Sequence, residues 1–274
     1  MYDFNYLSLQ QIKKKPENFL IFVKRLLPRW TNGIPDTECL AIFKFLEKLR
    51  KLKRKKLILL ETGSGASTLA MFLHCALYGG KVFTWDTNGS KGSFLRGVIN
   101  ETICRQLKVD VNKIWNFIPM NSSDRNVGLG VLKEMKLKGD FCFFDSWHTL
   151  QHVMEELKEF EKVAADKFIL AFDDAYYTKK NYNYSYINMV REKLKLKKIK
   201  EPRNNTCKPF HLEIGNYLKK NYKEVKLLEN FYKKNYKKDI FFKYFSSDRI
   251  YLNSVGMEEN SKLSNRLEGF LVKK

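Results

Sequence analysis

Lys56-Leu57-Ile58-Leu59-Leu60-Glu61-Thr62-Gly63-Ser64-Gly65-Ala66-Ser67-Thr68 is the stretch on which the fold turns. Leu57 to Leu60 form an apolar run short enough for a buried strand, and Leu69 to Leu77 continue with helical periodicity. Between them, Gly63 and Gly65 lack a Cβ and can take positive φ, which lets backbone N–H groups at a helix N-terminus approach a ligand. The stretch predicts strand, glycine turn, helix, and with it a nucleotide or nucleoside cradle.

The residues of the turn narrow the ligand. A phosphate-binding P-loop needs Gly-Lys-Ser/Thr, and no lysine is present here. A dinucleotide fingerprint wants a sixth-position glycine where this chain has Thr68. Glu61, two residues before the first glycine, would repel a pyrophosphate but can accept from an ammonium group, directly or through water. Zwitterionic S-adenosylmethionine fits that balance, held by Glu61, Gly63, Ser64, Gly65 and Ser67. Lys81 to Asp86 reads as a second strand ending in an acid, roughly 20 residues beyond the glycines, where a ribose-binding carboxylate belongs.

Composition bounds the rest. The chain has 274 residues, 44% hydrophobic and 14% aromatic, enough for a full core. No apolar run reaches the roughly 20 residues of a membrane span, and Met1 to Asn5 do not open a signal peptide. Cys39, Cys75, Cys104, Cys142 and Cys207 are odd in number and widely spaced, which reads as reduced core thiols in a cytoplasmic protein. The net charge of +21 suggests a polyanion partner, but lysines recur along the whole chain as codon bias would scatter them. Basic runs such as Lys51 to Lys56 and Lys195 to Lys200 are then solvated helix ends or faces. A nucleic-acid partner is disfavoured, an acidic substrate stays open, and so does assembly as a homo-oligomer.

Two periodic stretches, Leu7 to Leu27 and Thr37 to Leu52, predict an N-terminal helical cap over 1–54, the second opening at Pro35-Asp36-Thr37-Glu38. Residues 55–274 then form one α/β domain, a Rossmann-like, doubly wound and mostly parallel sheet. Asn88 to Ser93 reads as a loop before a helix reaching about Leu107. Trp115 to Pro119 is a short strand candidate ending near Asn121 to Asp124, where Ser123 and Asp124 are candidate cofactor contacts. Phe141 to Phe144 and Lys167 to Phe172 are buried strands, with Leu150, Val153, Met154, Leu157 and Phe160 at helical spacing between them. Further elements are expected near Tyr186 to Leu196, Glu224 to Leu228, Ile240 to Phe245 and Gly269 to Val272, the final strands antiparallel.

Asp145, His148, Asp173 and Asp174 follow directly on the two buried strands. If those strands are neighbours, three carboxylates meet at one edge, and they repel unless a cation holds them. An all-oxygen set suits a hard ion such as Mg²⁺. His152 follows four residues after His148, on what reads as the same helix face, without a further nitrogen or sulfur ligand for zinc. Tyr176, Tyr177, Tyr182, Tyr184 and Tyr186 could stack on a ring substrate, although a tyrosine-rich loop anchored on the core is the commoner outcome.

Over residues 55–178 the chain resembles the class I S-adenosylmethionine-dependent methyltransferases. Within them it is similar to the metal-dependent O-methyltransferases of the macrolide-sugar methyltransferase and cephalosporin hydroxylase-like group. Glu61 to Thr68 looks like that family's cofactor loop, Asp86 its ribose carboxylate, and Asp145-x-x-His148 with Asp173-Asp174 its metal and base motif. Asp173 stands where the pattern often has the longer Glu. The resemblance implies transfer of a methyl group to a substrate oxygen, with Asp145, Asp173 and Asp174 on a divalent metal and His148 as base beside Asp145. A hydroxyl of a sugar or other small polar metabolite is the expected acceptor. An RNA or other nucleic-acid methyltransferase and a non-catalytic nucleotide-binding protein are the alternatives.

Overall fold

The computed structural model describes residues 8–175, 179–180, 191–198, 206–207, 210–228 and 267–274. Its N-terminal part is helical, but the first periodic stretch is two helices: α1 (Leu9–Lys14), opened by a Ser8/Gln11 capping box, and α2 (Pro16–Lys24). Pro16 has no N–H to continue α1 and takes the first position of α2, where that N–H is not needed. α3 (Asp36–Lys53) begins where Pro35-Asp36 predicts, with Asp36 and Glu38 in its first turn and Arg50, Lys51 and Lys53 in its last, as the helix dipole favours. The reading of Lys51 to Lys56 as a solvated end is corrected in part. Lys53 and Lys55 both pair with the buried Asp140, and the Lys53 ammonium also donates to the Lys167 carbonyl.

Strands and helices then alternate: β1 (Leu57–Thr62), α4 (Ala66–Tyr78), β2 (Gly80–Trp85), α5 (Gly89–Ile99), α6 (Arg105–Leu107), α7 (Val111–Ile114) and β3 (Trp115–Ile118). β4 (Gly139–Phe144), α8 (Leu150–Glu161) and β5 (Ala164–Phe172) complete the parallel part. After a two-residue ladder of β6 (Lys179–Lys180) with β7 (Thr206–Cys207) come α9 (His211–Asn221), β8 (Glu224–Leu228) and β9 (Glu268–Lys273). The main sheet has seven strands in the order β3-β2-β1-β4-β5-β9-β8. β3 to β5 are parallel, and β9 is antiparallel to both β5 and β8. The Rossmann-like expectation holds, with one refinement: β9 alone is reversed, so β8 runs with the parallel set.

The expected loop at Asn88 to Ser93 is corrected. Asn88 caps α5, accepting from the Lys91 N–H, and the helix starts at Gly89. Gly92 marks a close approach rather than a turn, since a Cβ there would lie 2.5 Å from the Phe117 ring. The β candidate at Ile240 to Phe245 and the five tyrosines from Tyr176 to Tyr186 lie outside the described residues, as do residues 186–190 of the expected Tyr186 to Leu196 helix.

The central strands β1, β4 and β5 are buried on both faces, which is why they read as nearly continuous apolar runs. Phe141 and Phe143 join a core with α2, α3 and α4 on one face. Cys142 and Phe144 join a second core with α8 and α9 on the other. Cys39, Cys75, Cys104 and Cys142 are buried free thiols in these layers. Among the described residues no helix is long and apolar enough to cross a membrane.

Register positions the site. Thr62 is level with Trp85 on one side and Phe144 on the other, and Phe144 is level with Phe172. The residues that follow, Gly63, Asp86, Asp145 and Asp173, therefore stand in one row at the carboxyl edge, where parallel sheets bind ligands.

Candidate active site

The glycine turn is held from below. Glu61 is fully buried, and its carboxylate accepts from Ser67 Oγ at 2.9 Å, Thr68 Oγ1 at 2.6 Å and Thr84 Oγ1 at 2.7 Å. Burial pushes its pKa up to about 7 against those hydrogen bonds and the charge of Lys91. Glu61 and Ser67 thus bond to each other beneath the turn, and neither lines the cleft beside it. Gly63 has φ +79, and a Cβ on it would lie 2.1 Å from the Asp145 carbonyl oxygen. Close approach of the β4 end, more than approach of a ligand, requires this glycine. A Cβ on Gly65 would lie 3.1 Å from the Thr31 carbonyl oxygen, so the N-terminal segment roofs the turn.

Beside the turn, Asp86 accepts from the Ser64 N–H at 2.8 Å, the Ser64 hydroxyl at 2.6 Å and the Asn88 N–H at 2.8 Å, with the Lys91 ammonium at 3.5 Å. Burial raises its pKa, but these donors and the Lys91 charge outweigh burial and hold it below the usual carboxylate range. Asp86 stays ionised and faces a cleft of about 540 Å³. Gly63, Trp85, Lys91, Met120, Ser122 and Asp145 to His148 also line that cleft.

Ser123 and Asp124 do not line it. The exposed Asp124 instead caps its own turn, accepting from the N–H groups of Asn126 at 2.7 Å and Val127 at 3.0 Å. The end of β3 presents Met120, Asn121 and Ser122 to the cleft. A strand-end loop has no periodicity to say which of its residues turns inward.

The acidic cluster brings together Asp145 and Asp173 of the predicted set, with His148 in the place of Asp174. One ligand atom each from Asp145, His148 and Asp173 lie within 4.8 Å of one another. His148 Nε2 is 3.4 Å from Asp145 Oδ1, and His148 Nδ1 is 3.7 Å from Asp174 Oδ2. Asp174 therefore stands against the far side of the imidazole ring, outside the trio. Burial, then the charge and hydrogen bond of Asp173 and the charge of Asp174, push the Asp145 pKa well above the ordinary carboxyl range, with Lys91 opposing. His148 is not helical: Thr149 caps α8 by accepting from the His152 N–H, so His148 and His152 do not share a helix face. Lys91 and Glu156 are site residues that sequence reasoning missed. Lys91 carried a signal, standing on the first turn of the helix that follows the ribose carboxylate.

A model described as a methyltransferase domain matches residues 60–175. No curated protein matches the chain. An O-methyltransferase from Bacillus cereus, solved with SAH, is similar in fold at a TM-score of 0.52 and 13% identity, over 97% of this chain and 96% of that one. A TDP-rhamnose 3'-O-methyltransferase of calicheamicin biosynthesis gives a TM-score of 0.41 at 15% identity, over 70% of this chain and 90% of that one. An rRNA methylase from Streptococcus thermophilus also gives 0.41, at 8% identity over 84% and 94%. At those scores the last two carry no argument about substrate. The match at 60–175 begins in β1 and ends just beyond β5, taking in the glycine turn and the acidic cluster alike, and over that part the chain is similar to a methyltransferase domain, with a fold like that of the Bacillus cereus O-methyltransferase.

Proposed function

We propose that this enzyme methylates a hydroxyl of a small polar metabolite, a sugar or an acidic compound, using S-adenosylmethionine and a divalent cation, Mg²⁺ in the first instance. The observation that carries the reading is the level row of strand ends, which puts a glycine turn, an ionised Asp86 and the Asp145/His148/Asp173 cluster along one cleft.

Bound S-adenosylmethionine would supply the electrophilic methyl group. Asp86 would accept from the ribose hydroxyls with the lone pairs that Ser64 and Asn88 leave free. The backbone of Gly63 to Gly65 would carry the methionyl end, and residues 1–54 would act as a cap that keeps water from it. Asp145 and Asp173, brought together beside His148, offer carboxylate oxygens that fit a hard divalent ion. Such an ion would relieve the repulsion between these carboxylates, and when bound it would lower the pKa of a neighbouring hydroxyl. His148 would take the proton of that hydroxyl, and the Asp174 carboxylate on its other side would stabilise the imidazolium that forms.

Calorimetry with S-adenosylhomocysteine tests the cofactor, and His148→Ala tests the base. The wild type should bind the ligand, and the variant should keep both ligand and Mg²⁺ affinity while losing on the order of 10²–10⁴ in rate. Loss of Mg²⁺ affinity in the variant would make His148 a ligand rather than the base. NADH binding without affinity for S-adenosylhomocysteine would overturn the cofactor assignment. RNA binding with a steep salt slope would overturn the small-molecule assignment.

A further inference from the structure

Directly behind the cleft wall lies a carboxylate to which the proposed chemistry gives no part. Glu156, on α8, is fully buried. The Ser122 hydroxyl donates to its Oε1, and so does the Ser146 hydroxyl, at 2.6 Å. His152 Nε2 lies 3.3 Å from the same oxygen, and Oε2 has no hydrogen-bond partner. Ser122 comes from the loop after β3 and Ser146 from the loop after β4, and both line the cleft, as does His152.

A serine hydroxyl has one proton and two lone pairs, and an ionised carboxylate can only accept. Both serine protons are therefore committed to Glu156, and toward the cleft the two hydroxyls have lone pairs alone to offer. The hydrogen bond and charge of Glu156, with the charge of Glu155, outweigh burial and raise the pKa of the His152 imidazole.

We infer that Glu156 is a positioning residue that fixes this corner of the cleft as a hydrogen-bond acceptor, so that it selects a ligand presenting an amino group over one presenting a carbonyl. The inference rests on the proposed cofactor site. With Asp86 on the ribose and Asp145 and His148 at the reacting end, the Ser122 corner is left for the purine. The 6-amino group of adenine donates where the 6-oxo group of hypoxanthine accepts. Two acceptors facing each other lose the hydrogen bonds and leave buried lone pairs without donors.

The test compares calorimetric affinities for S-adenosylhomocysteine and S-inosylhomocysteine, which differ at this position of the purine. The wild type should bind the adenosyl compound at least about tenfold more tightly. Glu156→Leu frees both hydroxyls to rotate and donate, so the ratio should fall toward one. Glu156→Gln keeps an amide oxygen to accept the serine protons and should preserve the ratio, a rescue that a purely structural role for the charge would not give. If Glu156→Leu does not fold, the Ser122→Ala/Ser146→Ala double variant removes the acceptors directly and should also bring the ratio toward one. Equal wild-type affinities, or a ratio that survives loss of the acceptors, overturns the inference while leaving the cofactor site standing. If neither compound binds the wild type, the cofactor reading falls and the inference falls with it.

Discussion

Glu61 at the end of β1 and Asp145 just beyond β4 sit on paired strands, yet they live in opposite surroundings. Three hydroxyls, from Ser67, Thr68 and Thr84, surround the Glu61 carboxylate, so its lone pairs are satisfied by neutral donors. Asp145 faces Asp173 and Asp174, and its nearest cationic counterweight is Lys91. Hydroxyl donors cost no charge repulsion and lock three elements together, which is what a structural carboxylate needs. Carboxylates that face carboxylates are stable only with a proton or a cation between them, which is what a reactive site needs. The contrast separates the acid that builds the glycine turn from the acids proposed to act on the substrate.

The comparison breaks most visibly in activity. Asp145→Ala should abolish Mg²⁺ binding and lower turnover by at least about 10²-fold, while Glu61→Gln, which keeps the shape and most hydrogen bonds, should stay within about tenfold of wild type. Methyl transfer with and without chelator reads both. Equal losses would mean that the two acids do the same work.

A smaller effect separates the two glycines of the turn. Gly63→Val places a Cβ against the Asp145 carbonyl at positive φ and should cost roughly 3 kcal/mol or more of folding stability, lowering the thermal midpoint as well as cofactor affinity. Gly65→Ala meets the Thr31 carbonyl at 3.1 Å and should cost clearly less. A thermal midpoint unmoved by Gly63→Val would return the reason for that glycine to the ligand alone.

The smallest effect is in pH dependence. The Glu61 pKa in the fold, about 7, lies above its ordinary 4.5, so the protonated form favours the folded state. That contribution is present in full below pH 4.5 and is lost as pH rises through 7. Relative to Glu61→Gln, the wild type should lose on the order of 2–3 kcal/mol between those limits and then level off. Denaturant titrations across that range check it. A relative stability that rises with pH would show that the three hydroxyls outweigh burial.

Much of this was legible beforehand, for a physical reason in each case. Strands buried on both faces must be continuous apolar runs, so Leu57 to Leu60, Phe141 to Phe144 and Lys167 to Phe172 were readable as strands. Parallel strands end level, so the acids that follow them were readable as neighbours. What was not legible lay in loops. Of the stretch Asn121 to Asp124, Asn121 and Ser122 line the cleft beside Met120, while Ser123 and Asp124 do not. Gly89 to Ser93 was read as a loop because glycine and serine usually break helices, although Gly92 serves a close contact with Phe117.

The sequence by itself determined the alternating strands and helices, the glycine turn and the row of acids, because periodicity and chain order are local properties. Only the tertiary structure decided that Glu61 is sealed beneath the turn, that Asp174 stands against His148, and that Glu156 reaches from α8 to the serines of two separate loops. Each of those depends on which side chains meet across elements far apart in the chain, and no local pattern encodes such a meeting.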